Sequence, residues 1–382
     1  MLNVKQVMTH QQNVKEITLQ TNEAEVKILT IGGTITSFKL TDDINVVTSY
    51  MNYDDYLDNK VYLGSSVGPL AGRTREGIIS LNDTTLHLSQ NNGSAHLHGG
   101  FNGLSSRNLT IKSLYDDDEP IVVLEGDFSH EQDGYPGNVS YEIIYRLEGS
   151  SLSISYTATP SCSMPLNLTN HMYFDLLGHG DLSQHHLHVD ADEVAYLDES
   201  LCTNGTFIDV TDTVFDLRSN PSLESVLQGH HPQFENTRHV DHNYQLNGDK
   251  RVLLSAMNKS LLIETSCPAV QIYFANYFDE SFKNGQGQFA LNHSAIAIEP
   301  EYLPGSSVPW YSEENPYSEV TTYTLKKKEK AKAFSFSYSL ISFCFTSPSI
   351  AVAVQWQSIR RMITSYTTWI YFSKFGTVLI IL

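Results

Sequence analysis

Five side chains able to hold or move protons, Arg73, His98, His171, Asp241 and Glu299, each sit in a short motif of their own. His171 lies within P-L-N-L-T-N-H-M-Y-F-D-L, residues 165–176, whose alternation reads as a β-strand carrying a histidine, two asparagines and an aromatic pair. An imidazole there is either a hydrogen-bonded core group or a proton carrier near neutral pH. Asn167 and Asn170 read equally well as groups that bond the backbone in a turn. His98 closes H-L-H-G-G, where two glycines permit a close backbone or ligand approach. The H-x-H spacing sets His96 and His98 on one strand face, so a metal pair has to be weighed. Phe101, Asn102 and Gly103 follow where a carboxylate ligand would be wanted, and no metal is expected.

Glu299 ends the apolar run A-I-A-I and precedes Pro300. A carboxylate at the end of a buried strand is partly desolvated, which raises its pKa and makes it a competent base; an exposed strand end is the equal alternative. Asp241, in H-V-D-H-N-Y, reads as part of a polar loop with an Asx-turn as the ordinary explanation. Arg73, in G-P-L-A-G-R-T, has a surface position or an ion pair as its plain reading. His185, His186 and His188 precede V-D-A-D-E-V and read as a solvated strand face.

These residues need β-structure to position them. Residues 25–40 are β-branched and alternate, with a break at Gly32-Gly33 that reads as a hairpin or bulge. Residues 139–147 and 151–159 alternate with period two around Glu148-Gly149-Ser150, a hairpin signal. Residues 185–196 and 252–264 carry looser alternation, and no long stretch holds a 3.6-residue period. The expected class is all-β, a large sandwich of antiparallel sheets with few short helices.

Composition narrows the function. The chain has 382 residues, 41% hydrophobic, enough for a large core, and a net charge of −19, which excludes nucleic acid as a partner. Cys162, Cys202, Cys267 and Cys344 form no C-x-x-C pair, and the first residues lack an apolar leader run, so reduced cysteines and a cytoplasmic location are expected. From Lys326 the character changes. Residues 326–382 carry a net +7, leaving −26 on residues 1–325. Residues 1–325 therefore read as the working domain and 326–382 as a basic, then apolar, tail outside it. Residues 333–359 are uncharged and long enough to span a bilayer, but six serines and Pro348 within 333–354 argue against an anchor.

Taken together, the motifs resemble those of the aldose 1-epimerase, or galactose mutarotase, family. The likeness runs through G-P-L-A-G-R at Arg73, L-H-G-G at His98, N-L-T-N-H-M-Y-F at His171 and D-H-N-Y at Asp241. It continues through T-N-G at residues 203–205, T-V-F-D-L-R at 213–218, P-A-V-Q-I-Y-F-A-N at 268–276 and A-I-E-P at Glu299. It spans about residues 10 to 325, with departures at Pro69, Gly72 and Glu301, where the family usually has Arg, Asn and Gln. The resemblance implies a supersandwich fold and cofactor-free interconversion of the anomers of a free aldose, galactose or glucose, by a monomer or homodimer. It assigns Glu299 as base and His171 as acid, Arg73, His98 and Asp241 as sugar ligands, and Gln271 and Tyr273 as lining groups. Glu299 would start ionised and His171 protonated. Three other readings remain: an epimerase of phosphorylated hexoses, a glycoside hydrolase using Asp241 and Glu299, and a non-catalytic sugar-binding module.

Overall fold

The computed structural model describes residues 1–8, 13–129, 132–305 and 308–328, with the backbone of two short strands, Trp369–Phe372 and Val378–Ile381. It divides into two compact units, Met1–Lys330 and Ala331–Leu382. In the second, the two short strands pair antiparallel as a hairpin. The stretch weighed as a membrane anchor, 333–359, lies outside the described residues, and no helix among them is long and apolar enough to cross a membrane.

The first unit is built of antiparallel sheets, as the alternation predicts. Val139–Glu148 and Ser151–Pro160 form the expected hairpin, in register from Val139↔Pro160 to Glu148↔Ser151. They belong to an eight-stranded sheet, which lies in one unit with a six-stranded and a four-stranded sheet. Period-two burial drives their packing. In the strand Val139–Glu148, Tyr141, Ile143, Tyr145 and Leu147 turn inward between outward Ser140, Arg146 and Glu148. They join Phe38 of the four-stranded sheet and Ile272 and Ile298 of the six-stranded sheet in one core. Each such fully buried apolar side chain contributes roughly 1.5–3 kcal/mol. Among the described residues, helix is confined to short pieces such as Leu223–Leu227 and Phe234–Thr237.

Three strands of the six-stranded sheet, Asp241–Gln245, Ala269–Tyr273 and Ile296–Glu301, lie side by side. Their register sets Gln271 between Asn243 and Glu299, and Tyr273 between Asp241 and Ala297. Alternation then sends Tyr244, Val270, Ile272 and Ile298 into the core and puts Asp241, Asn243, Gln271, Tyr273, Glu299 and Glu301 on the opposite face. Asp241 is thus a strand residue, where a polar loop was expected. Glu299 lies inside its strand rather than at its end.

Residues 165–176 do not form one strand. They are broken into Met164–Pro165, Thr169–Asn170 and Tyr173–Phe174, which pair with three different partners. The asparagines explain the breaks. Asn167 brackets Tyr302, its Nδ2 donating to the Tyr302 carbonyl and its Oδ1 accepting from the Tyr302 N–H, each at 3.0 Å. Asn170 Nδ2 donates to the Gly64 carbonyl at 3.0 Å. Side-chain amides here replace ladder hydrogen bonds. The 185–188 histidines also differ from a uniformly solvated face: His186 is exposed, but His185 is fully buried, its Nε2 accepting from the Leu176 N–H at 3.0 Å.

Candidate active site

All seven residues expected at the site, Arg73, His98, His171, Asp241, Gln271, Tyr273 and Glu299, line a single cavity of about 310 Å³. That is the size of a small-molecule pocket.

His171 and Glu299 form its chemical centre. The His171 Nε2 stands 3.4 Å from Glu299 Oε1, and both side chains are almost wholly buried. His171 is pinned through its backbone, its N–H donating to the Ser65 carbonyl at 2.8 Å and its carbonyl accepting from the Gly64 N–H at 2.9 Å. The Tyr173 ring packs against the imidazole at 4.9 Å. Burial pushes the His171 imidazole down to about 3, and the nearby Arg73 guanidinium acts in the same direction. Burial likewise holds Glu299 well above the usual carboxylate range, helped by the carboxyls of Glu301 and Asp241 and opposed by Arg73. The unliganded pair therefore favours two neutral groups with the proton on Glu299. This corrects the expectation of an ionised Glu299 and a protonated His171 at rest, because a closed cavity penalises both charges at once.

His98 reaches the site from a left-handed backbone, φ 48°, followed by Gly99 at φ 91°. A Cβ on Gly99 would meet the Gly68 carbonyl oxygen at 1.8 Å, so the glycine is needed for this approach. The Gly72 N–H donates to His98 Nδ1 at 3.3 Å, which leaves the ring proton on Nε2. Burial first, then His171 and Arg73, holds the imidazole well below its normal pKa, so it stays neutral. His96 does not share the site. Its Nε2 meets the Tyr135 hydroxyl and its Nδ1 the Ser89 carbonyl, both at 2.7 Å, and the positive φ at His98 breaks the strand geometry that would have aligned the two rings.

Asp241 is fixed by two neighbours. Gln271 Nε2 donates to its Oδ1 at 2.6 Å, and the Arg73 guanidinium lies 3.7 Å from its Oδ2. Burial raises its pKa, while Arg73 and Gln271 pull it back. Arg73 Nε also donates to Asn92 Oδ1 at 3.2 Å. Tyr273 is a wall, its hydroxyl accepting the Tyr277 N–H at 3.1 Å. One ligand atom each from His98, His171 and Glu299 lie within 4.8 Å of one another, and among the described residues this is the group able to hold a metal ion.

Other residues, not assigned to the site from the sequence, also line the cavity. Tyr62 stands edge-on to His98, ring centroids 4.6 Å apart, and stacks on His171 at 6.0 Å. Nothing in its local sequence marks it. Asn243 and Glu301 also line the cavity, Asn243 Nδ2 donating to Glu301 Oε1 at 2.6 Å. Period two counted from Asp241 and from Glu299 would have found both. Gly72, φ 70°, sits under Pro304, whose Cγ would lie 2.1 Å from any Cβ there. No larger residue fits that corner without moving Pro304.

A large antiparallel sandwich whose cavity holds a buried imidazole–carboxyl pair among further polar side chains has the arrangement of an acid–base enzyme for a small polar substrate. Comparison with known proteins places it further. The Aldose 1-epimerase profile matches residues 15–315. Galactose mutarotase of Bos taurus is 32% identical over 308 residues, 76% of this chain and 86% of that one. Aldose 1-epimerase of Escherichia coli K12 is 32% identical over 260 residues, 66% of this chain and 74% of that one. The crystal structure of galactose 1-epimerase from Lactobacillus acidophilus NCFM has the same fold, with a TM-score of 0.79 and 24% identity over 86% of this chain and 99% of that one. The chain belongs to the aldose 1-epimerase family, isomerases that interconvert the anomers of an aldose.

Proposed function

We propose that the protein interconverts the α and β anomers of free aldohexoses, galactose and glucose among them, in the cytoplasm, with Glu299 as base and His171 as acid. The observation that carries this reading is the 3.4 Å His171–Glu299 pair opening on one cavity. Ring opening must remove the proton from the anomeric O1 hydroxyl and supply one to the ring oxygen. Glu299 takes the first and His171 gives the second; the C1–O5 bond breaks, C1 becomes an aldehyde, and rotation about C1–C2 exposes its other face. Reclosure reverses both transfers.

The burial of the pair favours this chemistry. The reactive arrangement, ionised Glu299 with protonated His171, holds the same number of protons as the neutral one. A carboxylate whose pKa is raised is a stronger base, and an imidazolium whose pKa is lowered is a stronger acid. Ring opening carries the pair from charged to neutral, the direction a desolvated cavity prefers. A bound sugar offers O1–H to the carboxylate and the ring oxygen to the imidazolium, and so brings the charged arrangement within reach. His98 donates to a sugar oxygen through Nε2–H, Arg73 supports negative charge on oxygen, and Asp241 accepts from hydroxyls in a position set by Gln271.

A phosphosugar is disfavoured as substrate because the cavity offers Arg73 and Lys60 as its cations, and Lys60 pairs with Asp58 at 3.3 Å. The test is polarimetry. Fresh α-D-galactose or α-D-glucose should approach its normal equilibrium rotation faster with protein than without. An unchanged drift with folded protein would overturn the reading.

A further inference from the structure

Glu301 is a third carboxyl in the cavity, beside Glu299 and Asp241, with no part in the proton transfers above. It lies two residues beyond Glu299 on the same strand face, and is 1% exposed. Asn243 Nδ2 holds its Oε1 at 2.6 Å, while Oε2 has no hydrogen-bond partner among the described residues. The corner around it is closed: a Cβ on Gly72 would come 3.5 Å from Oε1 and collide with Pro304. A buried polar atom left unpaired costs free energy, and such groups are normally satisfied by a partner.

We propose that Glu301 is a specificity-determining sugar contact, clamped by Asn243 and presenting Oε2 to a hydroxyl remote from the anomeric carbon. Two strand residues span roughly 7 Å, so a sugar with C1 at Glu299 meets Glu301 across its ring. There a carboxylic acid can donate where a carboxylate could only accept.

The charges facing Glu301 agree with a protonated group. Burial pushes its pKa up to about 8, the Asn243 hydrogen bond opposes this, and Asp241 on the neighbouring strand adds to it. Glu299 is the other carboxyl beside it, and Arg73 is the cation that faces this group of acids. Buried Cys267, whose thiol is raised, lies within its field. At neutral pH Glu301 is a hydrogen-bond donor, and it becomes a charged acceptor as the solution turns alkaline.

This inference rests on the mutarotase reading for the sugar's orientation, so binding is measured apart from turnover. The experiment is calorimetric titration of galactose and of glucose into the full chain and its Glu301→Ala and Glu301→Gln variants from pH 6 to 10, with mutarotation kinetics alongside. Glu301→Ala should weaken binding and raise KM about tenfold, with a smaller change in kcat and an altered galactose-to-glucose ratio. Glu301→Gln, which keeps a donor and an acceptor for Asn243, should recover most of that loss. In the unaltered protein the dissociation constant should rise above about pH 8, and in Glu301→Gln that rise should disappear. Circular dichroism establishes that each variant is folded. An unchanged affinity and sugar ratio in a folded Glu301→Ala, or an alkaline rise that survives in Glu301→Gln, would overturn the inference. Galactose binding with the expected Glu301 effects but without mutarotation would instead overturn the proposed reaction and leave the contact standing.

Discussion

In the proposed mechanism Glu299 and His171 act as one unit, because neither would open the ring while the other stays idle. Glu299→Gln and His171→Asn should each lower kcat by roughly 10²–10⁴-fold. The double variant should be little worse than the poorer single one; polarimetric rates on folded proteins decide this, and multiplicative losses would mean the two act independently. The pH profile follows from the same pair. Adding a second proton requires charging His171, held down to about 3, and removing the shared proton requires ionising Glu299, held well above 4.5. The kcat profile should therefore stay flat from near neutrality well below pH 6.5, the ordinary imidazole value. A descent centred on pH 6.5 would place a solvated histidine in control. Because the proposed acid and base are both side chains, a chelator should leave the rate unchanged. Loss with EDTA and recovery with Zn²⁺ would reassign His98, His171 and Glu299 as ligands.

At the level of strands and loops, much of the site was legible and some was not. Alternation revealed the hairpin at 139–160, and the polar positions on three neighbouring strands come together by period two alone. The asparagine-rich segment around His171 misled, since alternation in sequence does not tell a ladder from side-chain amides that replace one. The neighbours of His98 were also out of reach, because its positive φ turns it away from His96 and toward Tyr62, distant in sequence. Gly72 shows the constraint on such a loop. Gly72→Ala must hold a Cβ at φ 70° and displace Pro304, so it should lower stability by about 1–3 kcal/mol and raise KM. Urea denaturation with steady-state kinetics checks both; a stable variant with unchanged KM would show that Pro304 yields freely.

Across the whole first unit, burial of histidines sets the pH range of stability. His171 and His242 are pushed down to about 3 and His239 to about 4, each chiefly by burial. The unfolded chain binds these protons near pH 6.5 and the folded chain does not, so their contribution is intact above 6.5 and is lost as pH falls toward 3. Glu301 works in the opposite sense. Its folded pKa, about 8, exceeds the ordinary 4.5, so its contribution is present in acid and is lost as pH rises through about 8. The melting temperature should be highest near 6.5, falling below it as the histidines of the unfolded chain charge and falling between it and about 8 as the Glu301 contribution is lost; scanning fluorimetry across pH tests this, and a maximum below pH 5 would contradict it.

The composition break at Lys326 does not coincide with the end of the fold. The strand Tyr317–Lys327 crosses it, Lys326 and Lys327 pairing with Ser260 and Lys259 in the ladder, and the Lys328 N–H reaches the Asn258 carbonyl at 2.7 Å. Lys259 and Lys327 both grip Asp43 at 2.8 Å. Burial alone would raise that carboxyl, but the two ammonium groups outweigh it and bring it down to about 2. This lysine–aspartate clasp ties the strand Tyr317–Lys327 to a loop near the start of the chain. A gene shortened at codon 325 would therefore yield a sheet with an unbuttoned seam, whereas a stop placed a few codons later would keep the seam closed.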